Sequence, residues 1–121
     1  MNVKEKIELS NLRPEPAADF LTKIAKEHSK ELSLICLAPL TNIAAAIEKD
    51  KDFPGHIKEV FILGGSYLGI GNVSICAEYN FFSNPEAAEL TINTFQNVTI
   101  VPWDIIKYQQ SMPQSISEEA F

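Results

Sequence analysis

The chain has 121 residues, 45% of them hydrophobic and 21% charged, a balance that suits a single globular domain and excludes a disordered or fibrous chain. Sixteen acidic against ten basic side chains give a formal charge of −6, and without a lysine or arginine cluster to follow a phosphate backbone, nucleic acid is not an expected partner. Residues 1–8 are polar, with no signal-peptide core, and no run of about 18 apolar residues follows, so neither export nor a membrane span is expected and the cytoplasm is the expected compartment.

Residues 1–15 read as an irregular N-terminal segment. From Pro16 the apolar Ala17, Phe20, Leu21, Ile24 and Ala25 recur at helical spacing, which predicts an amphipathic helix. His28, at its last turn, reads as a surface group facing the negative end of the helix. Residues 32–37 are nearly continuously apolar, as expected of a parallel strand, and residues 60–63 and 98–101 read alike. Between the first two lies a helical stripe of Leu40, Ile43, Ala44 and Ile47, with Thr41 or Asn42 able to cap it. Asn84-Pro85-Glu86 is a helix start: a capping Asn, Pro at the first helical position, and an acid in the first turn.

Helices alternating with apolar strands predict an α/β fold, a partial, open and mainly parallel sheet with helices on both faces. One domain is expected over residues 1–121, incomplete at both ends. No strand is read before the first helix, and Ser115-Ile-Ser-Glu-Glu begins like a capped helix just before the last residue, Phe121. The isolated chain is accordingly expected to be poorly soluble or only partly folded, because apolar strands are left with unpaired edges.

Cys36 sits in an apolar strand and Cys76 in a polar loop; with neither CxxC spacing nor a nearby His, both read as reduced thiols. The stretch 64–83 is too long for a plain connection and holds Asn72, Glu78 and Asn80 near a glycine-rich turn. Two amides and a carboxylate can satisfy several hydroxyls of one ligand, which points to a sugar; equally, Asn72 and Asn80 can hydrogen-bond their own loop. Parallel sheets bind ligands beyond the carboxyl ends of their strands, where this loop and residues 38–42 and 102–104 would lie.

Leu37-Ala-Pro-Leu-Thr-Asn-Ile-Ala44, Ile62-Leu-Gly-Gly65, Gly71-Asn72, Ala77-Glu-Tyr-Asn80 and Asn84-Pro-Glu-Ala-Ala88 fall in the order and spacing of the inosine-uridine preferring nucleoside hydrolase family. The chain resembles that family over residues 16–104, the matched core, with 105–121 as a truncated C-terminal segment. The resemblance implies a Rossmann-like core and hydrolysis of the N-glycosidic bond of ribonucleosides to ribose and free base, with one calcium ion. By position, Asn72 and Glu78 would hold the 5'-hydroxyl end of the ribose and Asn80 its 2',3'-diol, while the carbonyl oxygen of Leu37 would be a calcium ligand. Complete members of the family are expected to be homo-oligomeric.

The family's D-x-D-x-G-x-D-D signature, which supplies calcium carboxylates and the general base, is absent from this chain, as is the later His-Asp pair. No catalytic residue is therefore assigned here, and the chain alone is expected to be inactive; the alternatives are a non-catalytic nucleoside-binding remnant or a structural α/β module. Asn84 stands where the family usually has Asp, Leu63 where it has Met, and Trp103 where it has Leu. Ser66, outside the matched positions, is expected to matter little.

Overall fold

The structure is a computed structural model that describes residues 13–111. Both the irregular segment through residue 12 and the helix start at Ser115 lie outside the described residues. The order of elements is α1 (Ala17–Glu27), β1 (Ser33–Cys36), α2 (Thr41–Lys49), α3 (Phe53–His56), β2 (Glu59–Leu63), α4 (Tyr79–Ser83), α5 (Pro85–Thr94), β3 (Val98–Val101) and α6 (Trp103–Ser111). The three strands form one parallel sheet in the order β1-β2-β3. The expected α/β class and parallel pairing are both present.

Register places alternate apolar side chains of the three strands on one covered face. Leu34 pairs with Val60 and Val60 with Val98, while Cys36 pairs with Ile62, so these side chains share one face. They pack with Leu40, Ala44, Ala46 and Ile47 of the α2 region, Ala87 and Ala88 of α5, and Ala25 of α1. The alanines let helices approach the sheet closely, and Ala25, Ala46 and Ile62 lose all solvent contact. Phe53 of α3, also fully buried, meets Phe95 edge-on with ring centroids 5.9 Å apart. Each large side chain sequestered this way is worth about 1.5–3 kcal/mol. On the sheet's other face, Ile35 pairs with Phe61 and is 70% exposed.

Helix termini follow local chemistry, with one correction. Asn84 caps α5 as expected, its Oδ1 accepting from Ala87 N at 3.0 Å. Leu40 is the N-cap of α2 and makes no side-chain cap, so neither Thr41 nor Asn42 plays that role. Thr41 is already inside the helix, and its hydroxyl accepts from the Asn84 amide at 3.1 Å, joining the starts of α2 and α5. His28 follows α1 as its C-cap and is exposed, its Nδ1 3.5 Å from Glu31. Among the described residues no helix is long and apolar enough to cross a membrane.

Candidate functional site

The polar loops converge at the carboxyl ends of the strands, and β2, the middle strand, supplies the anchor. Its last residue, Leu63, offers a carbonyl oxygen that accepts from Asn80 Nδ2 at 2.8 Å. Gly64 and Gly65 follow, and the first admits no side chain: a Cβ on Gly64 would lie 2.3 Å from the Phe81 ring. Gly65 adopts φ +74°, a conformation that glycine reaches at little cost.

Glu78 is buried and accepts three backbone N–H groups. Oε2 takes those of Gly65 at 2.9 Å and Phe81 at 3.2 Å, and Oε1 takes that of Asn80 at 2.9 Å. It thereby caps the short helix α4 and pins that helix to the end of β2. A buried carboxylate is tolerated when oriented donors replace its hydration. Of roughly four acceptor sites on the two oxygens, these bonds leave one on Oε1 unused.

Asn80 is buried at the second position of α4, and the bond to Leu63 uses one of its amide hydrogens and leaves Oδ1 and the other hydrogen over. Asn72 is exposed; its Oδ1 accepts from Tyr79 N at 2.8 Å, leaving both amide hydrogens to donate. The structure thus brings Asn72, Glu78 and Asn80 around one short helix, and each also fastens its own loop. Leu37 lies one residue beyond β1, whose last residue pairs with Ile62 of β2, and its side chain is 68% exposed. A cavity of about 140 Å³ lies between Leu37 and Leu63, and another of about 300 Å³ runs from Gly65 to Pro102. Neither cavity has Asn72, Glu78 or Asn80 in its lining.

The sequence reading did not single out two features of the site. Phe81 fills the space that Gly64 and Gly65 leave open, and Asp104 accepts from Tyr67 N and Leu68 N at 2.7 and 3.0 Å. Partial burial pushes the Asp104 carboxyl up, but the backbone N–H groups outweigh it and hold the group below the ordinary aspartate value. The signal was faint: an acid at the second position of a helix that begins directly after a strand. Cys36 is buried, which pushes its thiol pKa up, and Cys76 is exposed; both are free.

Beyond this geometry, the model of the inosine-uridine preferring nucleoside hydrolases matches residues 2–120 of the chain. The chain belongs to this family. It is 39% identical over 85 residues to uridine nucleosidase 1 of Arabidopsis thaliana, covering 70% of this chain and 25% of that protein. To the inosine-uridine preferring nucleoside hydrolase of Leishmania major it is 37% identical over 90 residues, 74% of this chain and 28% of that protein.

Solved structures agree. A plant nucleoside hydrolase superposes with a TM-score of 0.70 at 33% identity, over 77% of this chain and 30% of that one. The purine-preferring ribonucleoside hydrolase of Gardnerella vaginalis gives 0.71 at 32%, over 76% and 29%. The chain spans between a quarter and a third of the length of these nucleoside hydrolases.

Calcium is the metal this family implies. Among the described residues no group of three or more His, Cys, Asp or Glu comes together that would hold a metal. Hard cations take six to eight oxygen ligands, several of them carboxylates. The described residues therefore do not fit a complete calcium site; the Leu37 carbonyl is a single oxygen donor.

Proposed function

We propose that this chain forms the ribose-gripping part of a ribonucleoside hydrolase, in which water replaces the base at C1' and ribose and free base leave. The observation that carries this reading is the placement of Glu78 and Asn80, buried and oriented at the carboxyl end of the central strand with acceptor and donor capacity to spare. Asn72 and Glu78 would take the 5'-hydroxyl end and Asn80 the 2',3'-diol. As the glycosidic bond breaks, positive charge develops on the ribosyl ring, and groups holding both ends favour the flattened geometry of that state. The partner is a small ribonucleoside.

The Leu37 carbonyl would be this chain's contribution to a calcium ion whose carboxylates come from other residues of the polypeptide. Residues 1–121 by themselves would then show no turnover of inosine or uridine. A second reading is that the same three side chains only hold the loop, and the hydrogen bonds each already makes favour it.

Asn80→Ala separates the two readings in a polypeptide of the relatives' full length that contains this chain. Leaving polar partners unpaired costs about 1–3 kcal/mol, so kcat/KM for uridine should fall roughly 5- to 150-fold. Full activity in protein that melts normally would leave only the scaffolding reading standing.

A further inference from the structure

The loop that carries Asn72 is fastened at its far side by a residue remote in sequence. Asp104 Oδ2 accepts from Tyr67 N and its Oδ1 from Leu68 N, across 37 and 36 residues of chain. One residue earlier, Trp103 N donates to Gly65 O at 3.0 Å. Between these points Ser66 Oγ donates to Ile70 O and accepts from Ile70 N, closing the turn. The first part of the loop is therefore moored to the start of α6.

Beyond Ile70 there is no slack. A Cβ at Gly71 would sit 2.2 Å from Ala77 O, and the backbone N–H groups of Asn72 and Val73 both donate to that same oxygen. Asn72, whose side chain then reaches Tyr79 N, stands four residues past the last moored amide. Only Gly69, Ile70 and Gly71 separate Leu68 from Asn72, so the path from the moored amides to Asn72 is short.

We propose that Asp104 is a positioning residue for ribose recognition: by strapping Tyr67 and Leu68 to α6, its carboxylate sets where Asn72 meets the 5'-hydroxyl end of the sugar. The proposal rests on the ribose-binding reading of Asn72. Asp104 itself does not touch the substrate. A carboxylate with two convergent N–H donors is a stronger and more directional tether than a neutral side chain offers, and those two donors help to hold its pKa below the ordinary aspartate value.

The test uses uridine and 5'-deoxyuridine, which differ only in the 5'-hydroxyl, as substrates of a polypeptide of the relatives' full length. Asp104→Asn is expected to raise KM for uridine roughly five- to twentyfold while changing KM for 5'-deoxyuridine less than about twofold and leaving kcat nearly unchanged. Asp104→Glu, which keeps the charge, should recover part of the loss. An unchanged uridine KM, or an equal rise for both substrates, would overturn the proposal, since the strap would then be idle or merely stabilising. If Asp104→Asn does not fold, Asp104→Glu carries the same comparison, with a smaller rise confined to uridine supporting the proposal. Asn72→Ala is the control on the underlying reading: a raised uridine KM in that variant with none in the Asp104 variants rejects the strap alone, whereas no change in Asn72→Ala rejects the assignment of Asn72.

Discussion

The helix-covered face of the sheet and the loop between β2 and α4 are built in opposite ways. Behind the sheet, Ala25, Ala46, Val60 and Ile62 are buried by close contact with one another, and no single directional bond decides their arrangement. In the loop a few carboxylate and amide groups order the backbone: Glu78 by three N–H groups, Asp104 by two, and Asn72 and Asn80 by one bond each. Apolar packing is non-directional and tolerates swaps of similar volume. A hydrogen-bonded loop does not, because each missing partner strands a polar group. Stability should therefore respond most to one region and substrate recognition to the other.

The largest effect is expected in the packed region. Phe53 is fully buried against Phe95, and Phe53→Ala should cost about 3–5 kcal/mol. For a small domain with roughly 5–15 kcal/mol in total, that is a large fraction. Urea denaturation of a polypeptide of the relatives' full length that contains this chain would record it, and the uridine KM of protein still folded should stay as it was. A loss below about 1 kcal/mol would mean that α3 collapses onto the gap and that the packed face is more plastic than its alanines suggest.

Glu78→Gln probes the border between the two regions, since Glu78 is buried yet belongs to the loop. A glutamine has one acceptor oxygen and presents an NH₂ group where Gly65, Asn80 or Phe81 already directs an N–H. The cost should be about 1–3 kcal/mol, borne locally. Amide hydrogen exchange should quicken at Gly65, Asn80 and Phe81 while the amides of β2 keep their protection. Unchanged exchange at all three would show that the carboxylate is dispensable to α4.

The packed region was the more legible in sequence. The three apolar runs and the stripes of α1 and α2 signalled their elements because burial repeats a pattern over many residues. Observed bounds differ from the readings by a residue or so; β1, for instance, is Ser33–Cys36 within the run 32–37. Phe53–His56 gave no such signal, being a four-residue helix with no room for a repeat. Tyr79–Ser83 was hidden for the same reason, and its cap is Glu78, a residue type not among the favoured caps. Trp103–Ser111 went unread because Pro102 alone separates it from β3, leaving no polar stretch to mark a boundary. The polar residues of the loop were visible as types, and their chain order identified the family, but which of them bond to backbone depends on contacts such as Asp104 to Tyr67 that no local pattern encodes.

Ser66→Ala should give the smallest effect and is the most sensitive probe of the comparison. Read from sequence alone, Ser66 lies outside the matched positions and carries no expectation of consequence. In the structure its hydroxyl closes the turn to Ile70 through bonds of 3.0 and 2.8 Å. It also lies beside Asp104 and helps to lower that carboxyl's pKa. The turn is open to water, which can replace a lost partner, so each bond is worth about 0.5–1 kcal/mol and the rise in uridine KM should be roughly two- to fivefold. Global unfolding should shift very little, because no apolar contact is removed. If Ser66→Ala lowered stability as Phe53→Ala does, the loop would be part of the core and the division drawn between the two regions would fail. A rise in uridine KM as large as that of Asp104→Asn would place the decisive mooring at Ser66 instead, since the hydroxyl would then be what holds the turn in reach of the carboxylate.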